Sequence, residues 1–256
     1  MFSINDDGPI RWLTIDNVAR RNAIPSAQWV SLGACLQEFG ASGQRALIIT
    51  GAGSDFCSGN DLGAGLDMGS GPVGMYASMQ RIGQAARALH ELAKPTVAAV
   101  DGVAVGAGLN LALGCDVAIA TTRARFSEIF VRRGLTVDFG GTWLLPRRVG
   151  LARAKELALT GRIVSAEEAL RYGLVAEVVE PADLRRRAAE VAAELAAAAP
   201  LAQHFAKVGL ERAFEMSFDE ALEYESQAQA LCSASEDVIE GVRAFLEKRS
   251  PNFQGR

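Results

Sequence analysis

The chain is poor in the residues that staple or metallate small proteins. Its 256 residues include four cysteines, Cys35, Cys57, Cys115 and Cys232, scattered without a CxxC pair, and two histidines, His90 and His204. That pattern offers no zinc-ligand spacing and no disulfide framework, as expected of a protein kept in a reducing cytoplasm, and it excludes a metal centre built on Cys and His. A basic excess is missing too. The 26 Lys and Arg stand against 30 Asp and Glu, a formal charge of −4, the wrong sign for a nucleic-acid binder. No run of about 18 uncharged apolar residues occurs, so no membrane span is expected. The opening MFSINDDGPIRW lacks the basic-then-apolar order of a signal peptide. What the chain does have is 49% hydrophobic and 22% charged residues, a balance that excludes a disordered polymer and supports a packed core.

Residues 1–16 read as a hairpin, FSI and IRWLTID flanking the turn signal Asn5-Asp6-Asp7-Gly8. Residues 26–39 read as a helix opening at Ser26, and 75–93 as a second one stopped by Lys94-Pro95. ALIITG (46–51), TVAAV (96–100), CDVAIAT (115–121) and VAEVVE (175–180) are short apolar runs typical of buried strands. Strands alternating with helices predict an α/β protein. After residue 181 the segments PADLRRRAAEVAAELAAAAP, LAQHFAKVGLERAFE, SFDEALEYESQAQALC and SEDVIEGVRAFLEKRSP all carry helical spacing. These patterns divide the chain into an α/β core at 1–195 and a helical C-terminal segment at 196–256. Five glycines within 63–74 predict a mobile loop that orders over bound ligand.

Two familiar motifs can be set aside. Gly69-Ser70-Gly71-Pro72-Val73-Gly74 spells GxGxxG, but no strand precedes it and a proline interrupts it. A GxSxG elbow is absent and both histidines lie in amphipathic segments, which argues against a Ser-His-Asp hydrolase. Two other segments carry more. Phe56-Cys57-Ser58-Gly59-Asn60-Asp61-Leu62 follows one buried strand. Asp101-Gly102-Val103-Ala104-Val105-Gly106-Ala107-Gly108-Leu109-Asn110-Leu111-Ala112-Leu113 follows another and runs through a small-residue turn into an apolar helix starting near Ala107. Each alone reads as a tight turn. As a pair, with small residues admitting a ligand close to backbone N–H groups, they read as the two halves of an oxyanion hole.

These two segments resemble the oxyanion motifs of the crotonase (enoyl-CoA hydratase/isomerase) superfamily. The resemblance extends in order along the chain: Asp16-Asn17-Val18-Ala19-Arg20-Arg21-Asn22-Ala23, with Val18 where proline is usual; Phe139-Gly140-Gly141-Thr142-Trp143-Leu144-Leu145-Pro146-Arg147; Thr160-Gly161-Arg162; and Phe245-Leu246-Glu247-Lys248-Arg249-Ser250-Pro251-Asn252-Phe253. It implies a spiral of ββα turns with a helical C-terminal oligomerisation region, forming a homotrimer or a hexamer of paired trimers. Leu222, Leu231, Val238, Val242, Phe245 and Leu246 supply apolar surface for such contacts. It also implies an acyl-CoA thioester substrate, no separate cofactor, and backbone N–H groups of Asn60 and Ala107 as oxyanion donors. Ser58, Gly59, Asp61, Leu62, Gly106 and Gly108 would shape the substrate site around them, together with Ala23, Phe130 and Leu135. Arg20 and Arg21, with Lys248 and Arg249, are the candidates for meeting the CoA phosphates.

The acid/base positions choose among the family's reactions. The two glutamates of a hydratase fall here on Asn110 and Phe130, neither of which is acidic; Glu128 lies two residues away. Asp138, just before Gly140-Gly141, stands where the isomerase-like branch carries an acid. A pocket of Phe130, Val137 and Phe139 would desolvate it and raise its pKa; the alternative is that Asp138 only caps the following helix. The expected activity is therefore an enoyl-CoA isomerase, resembling the ring-epoxide (epoxyphenylacetyl-CoA) isomerase branch of phenylacetate degradation. A hydratase acting through Glu128 and a non-catalytic acyl-CoA-binding paralogue are the alternatives.

Overall fold

The computed structural model describes residues 1–64 and 71–256. Strands β1 (Phe2–Asp7) and β2 (Ile10–Ile15) form the expected hairpin, turning at Gly8 with φ +56°. From β2 onward the sheet is parallel, through β3 (Ala46–Gly51), β4 (Thr96–Val100), β6 (Val117–Thr121) and β9 (Glu177–Val179), in the order β1-β2-β3-β4-β6-β9. Parallel neighbours need crossovers, and α1 (Gln28–Ala41), α2 (Gly71–His90) and α3 (Ala107–Leu113) lie within the first of them. Alternate residues of each strand serve opposite faces. Leu47 and Ile49 join Trp29, Leu32, Leu36 and Ile82 on one side. Ala46 and Ile48 face α7 (Leu184–Ala197) on the other, where Ala188, Ala192 and Ala196 form a stripe small enough to bring the helix close to the sheet.

A second sheet carries the site. It contains β5 (Val103–Val105), β7 (Arg125–Ser127) and β8 (Val164–Ser165), with β5 and β7 parallel and β8 antiparallel to β7. The sequence reading missed all three, because runs of two or three residues are too short to show a period of two. Helices α4 (Gly141–Val149) and α5 (Leu151–Thr160) lie between β7 and β8 in the chain and α6 (Ala166–Tyr172) between β8 and β9, and α8 (Pro200–Glu211), α9 (Phe218–Ser233) and α10 (Glu236–Glu247) close it. The tail is clasped to the body. Buried Asp237 accepts from the N–H groups of Gln254 and Gly255, and Arg45 donates to the carbonyls of Phe253 and Ala198.

Several boundaries differ from expectation, three of them informatively. Helix α1 begins at Gln28 with Ala27, not Ser26, at its cap; the Ser26 hydroxyl instead meets that of Ser78 on α2. Helix α2 starts at Gly71, so residues 71–74 of the expected glycine loop are helical, since a proline in a first helical turn withholds no needed N–H. The helix also ends at His90 rather than 93. The central part of that loop, 65–70, lies outside the described residues, and with it the expectation that the segment orders over ligand.

Candidate active site

The two glycine-bearing segments are stitched together by backbone. Cys57 donates to the Val103 carbonyl at 2.9 Å, and Val105 donates back to the Cys57 carbonyl at 3.1 Å, so the 56–61 segment runs beside β5. The contact is close enough to require glycine. A Cβ at Gly59 (φ +87°) would sit 3.0 Å from the Val105 oxygen and 3.3 Å from the Ala107 nitrogen, and one at Gly108 would strike the Cys57 carbonyl. Gly106 (φ +57°) breaks the chain out of β5 and into α3, its N–H held by the Ser127 carbonyl. On the far side of the segment, Ile24 donates to the Gly59 carbonyl and accepts from Asp61. This bridge turns the intervening Asn60 N–H the other way. Among the described residues no acceptor takes the N–H of Asn60 or of Ala107. Both residues line one cavity.

That cavity has a volume of about 180 Å³; its apolar lining is Leu62, Met75, Met79, Ile129, Phe130 and Leu135, and Ser58, Gly59, Gly106, Arg133 and Thr136 line it as well. Asp138 is its only carboxylate among the described residues. Its Oδ1 is enclosed and has no hydrogen-bond partner, and burial pushes its pKa up to about 7. The capping alternative is not what the structure shows. Gly140, in the left-handed region, occupies the cap of α4, and no side chain caps that helix end. A larger cleft of about 430 Å³ lies between α4 and α8, but its Asp116 is paired with Lys207 at 2.9 Å and it presents no such arrangement.

Residues 7–256 match the family model described as enoyl-CoA hydratase/isomerase. The chain belongs to this family. It is 40% identical over 250 residues to the 1,2-epoxyphenylacetyl-CoA isomerase of Escherichia coli K12, covering 95% of this chain and 94% of that protein. It is 35% identical over 248 residues to the short-chain-enoyl-CoA hydratase of Clostridium acetobutylicum, covering 96% and 94%. An enoyl-CoA hydratase structure from Bacillus anthracis superposes with a TM-score of 0.94 at 32% identity, covering 100% of this chain and 99% of that one. The crotonase-like α/β fold expected from the sequence is thus the fold observed.

Not every residue expected at the family's substrate site reaches the cavity. Asn60, Ala107, Asp138, Ser58, Gly59, Leu62, Gly106, Phe130 and Leu135 line it; Arg20, Arg21, Ala23, Asp61 and Gly108 do not. Gly108 acts one layer back, by letting α3 approach Cys57. Asp61 is buried with its Oδ1 on the Gly63 N–H. Ala23 is buried behind Ile24, and Arg20 and Arg21 are exposed, their carbonyls holding the Ser58 hydroxyl and N–H. Val137 is not part of the wall, and Phe139 is buried with its ring 5.4 Å from that of Trp29. Arg249 is bound to Glu240 and Glu247 of its own segment, which holds the Glu240 carboxyl down at about 2.

Sequence reasoning passed over Ile129, Arg133 and Thr136 of the lining and three further contributors. Met75 and Met79, four residues apart on α2, present flexible thioethers to the cavity. Trp29, fully buried on α1, donates its Nε1–H to the Asn60 side chain at 3.0 Å and so fixes one donor residue. A helical apolar stripe was the only signal for Trp29, and it is the same signal any core residue gives. The described residues contain no group of His, Cys, Asp and Glu able to hold a metal ion, and no helix long and apolar enough to cross a membrane.

Proposed function

We propose that the protein is an enoyl-CoA isomerase-type enzyme, moving a double bond or opening a ring epoxide in an acyl-CoA thioester through an oxyanion-stabilised enolate. The observation that carries this reading is Asp138, the one carboxylate lining the cavity among the described residues, which faces the same space as two backbone donors that no described acceptor takes. In the double-bond reaction, Asp138 takes a proton from C2 of a 3-enoyl-CoA. The C–H electron pair moves into the C1–C2 bond, and the thioester carbonyl becomes an enolate oxygen held by the N–H groups of Asn60 and Ala107. The same carboxyl returns the proton to C4 as the double bond settles between C2 and C3. One acid suffices because no water is added. The ring-epoxide variant uses the same oxyanion donors and the same carboxyl, and the named activity of the Escherichia coli relative favours it as a substrate class.

The size of the cavity agrees with a compact acyl group. An apolar cavity of about 150 Å³ takes up a benzene ring, and the one here measures about 180 Å³. The CoA phosphates would meet exposed Arg20 and Arg21, or Arg133 of the cavity lining. The exposed apolar residues of α9 and α10, with Phe245 82% and Leu246 73% exposed, fit burial in a homotrimer or a pair of trimers. Assays of the purified protein on a 3-enoyl-CoA, a 2-enoyl-CoA and a ring-epoxide CoA ester test the choice of reaction. Turnover of the first or third without hydration of the second supports it. Hydration of the 2-enoyl ester that survives Asp138→Asn and is lost in Glu128→Gln would replace it with the hydratase reading.

A further inference from the structure

Behind the pocket wall lies a carboxyl that the isomerisation does not use. Glu128, 1% exposed, precedes the short turn Ile129–Arg133 and does not reach the cavity. Its Oε2 accepts from Asn110 Nδ2 at 3.4 Å, while its Oε1 is buried without a hydrogen-bond partner. Asn110, fully buried on α3, shows the complementary defect: Nδ2 also donates to the Asp138 carbonyl at 3.0 Å, while Oδ1 has no partner. The carboxamide lies flat on Gly141, the first residue of α4, where any added Cβ would collide with it. Asn110 thus grips both the carbonyl of Asp138 and the helix start that follows. Two acceptor oxygens, on groups already joined through a single N–H, lack one proton between them.

We propose that Glu128 is a positioning residue kept as a neutral carboxylic acid, donating its O–H to Asn110 Oδ1 and so locking the carboxamide that holds Asp138 in place. The proposal rests on the reading of Asp138 as the base. The charges around Glu128 support the neutral form. Helix α3 carries no ionisable group, Arg153 and Glu156 of the adjoining α5 pair with each other, and Arg132 and Arg133 of its own turn donate to the carbonyls of Thr160 and Arg132. Of the neighbouring charges, that of Asp138 acts on Glu128, and it opposes a second anion. Burial pushes the Glu128 carboxyl up to about 8; the Asn110 hydrogen bond pulls the other way by less than burial pushes, and the charge of Asp138 adds a still smaller push upward. Glu128 thus holds its proton well above the ordinary carboxylate range. As the pH rises far enough for that proton to leave, the O–H bond to Asn110 is lost and the grip on Asp138 loosens.

The test compares Glu128→Gln with Glu128→Leu, assayed on 3-hexenoyl-CoA from pH 6 to 10, together with infrared spectra of the carboxyl region. A glutamine amide supplies the donor and the acceptor of the neutral acid at every pH; a leucine supplies neither. Glu128→Gln is expected to keep kcat within about 3-fold and to lose the alkaline fall in rate, while Glu128→Leu loses kcat about 10-fold or more at little change in KM. At pH 6 a protonated-carboxyl band should be present that Glu128→Gln removes and Asp138→Asn leaves. Loss of activity in Glu128→Gln comparable to that in Asp138→Asn, wild-type behaviour in both Glu128 variants, or the absence of that band would each overturn the proposal. Full activity of Asp138→Asn with the band intact would defeat the base assignment while leaving Glu128 neutral.

Discussion

Taking water away from Asp138 raises its affinity for a proton, and this sets both its strength as a base and the pH at which it works. With its carboxyl pushed up to about 7 by burial alone, Asp138 is protonated in acid and cannot accept the C2 proton there. The rate of isomerisation should therefore rise with pH through about 7 in the free enzyme and then level, until Glu128 ionises. A profile of kcat/KM against pH checks this, and a rate already at its plateau at pH 5 would show a carboxylate with an ordinary pKa doing the work. The same desolvation explains why Cys57, fully enclosed beneath the donors, is not a rival nucleophile: burial pushes its thiol up to about 12.

At the scale of elements, the site depends on how near α3 and β5 come to the 56–61 segment, and glycine decides that distance. Gly108→Ala would drive a methyl group into the Cys57 carbonyl. Overpacking of this kind typically costs about 1–3 kcal/mol, and here the strain falls on both oxyanion donors at once. The variant should melt at a lower temperature and lose kcat by more than its stability loss alone explains; thermal melts and turnover measured on the same preparation check it. The donor segments were legible from sequence because each follows an apolar run and needs small residues. Strands β3, β4 and β6 were legible as buried runs, and α3 as the helix emerging from Gly106. Strands β5, β7 and β8 were hidden by their brevity. The start of α2 was hidden by Gly71, Pro72 and Gly74, which locally favour a turn and are overridden by packing of the apolar face through Ile82, Ala85 and Leu89. Glu128 gave no warning of its burial, because Ser127 and Ile129 beside it are compatible with either environment; only the fold brings it to Asn110.

Over the whole molecule, the candidate site and the exposed apolar residues of the C-terminal helices occupy different parts of the chain. The main sheet and α7 bury their apolar faces within the chain, whereas α8 and α9 bury no residue completely and α10 buries Asp237 and Ala244. Ile239, Val242, Phe245 and Leu246 remain exposed on α10, the surface proposed above for contacts between copies. Replacing Phe245 and Leu246 together by Asp should lower the mass measured by sedimentation from that of a trimer or hexamer to that of one chain. A wild-type mass that is already monomeric would contradict the assembly. The claim on which the rest depends is that Asp138 removes the C2 proton while Asn60 and Ala107 hold the enolate, and exchange of the C2 hydrogen of a CoA ester in deuterated water reads that step without requiring the full reaction. General-base contributions are about 10²- to 10⁴-fold, so Asp138→Asn should slow exchange by that factor at unchanged ester affinity. Exchange at the wild-type rate in Asp138→Asn would contradict it.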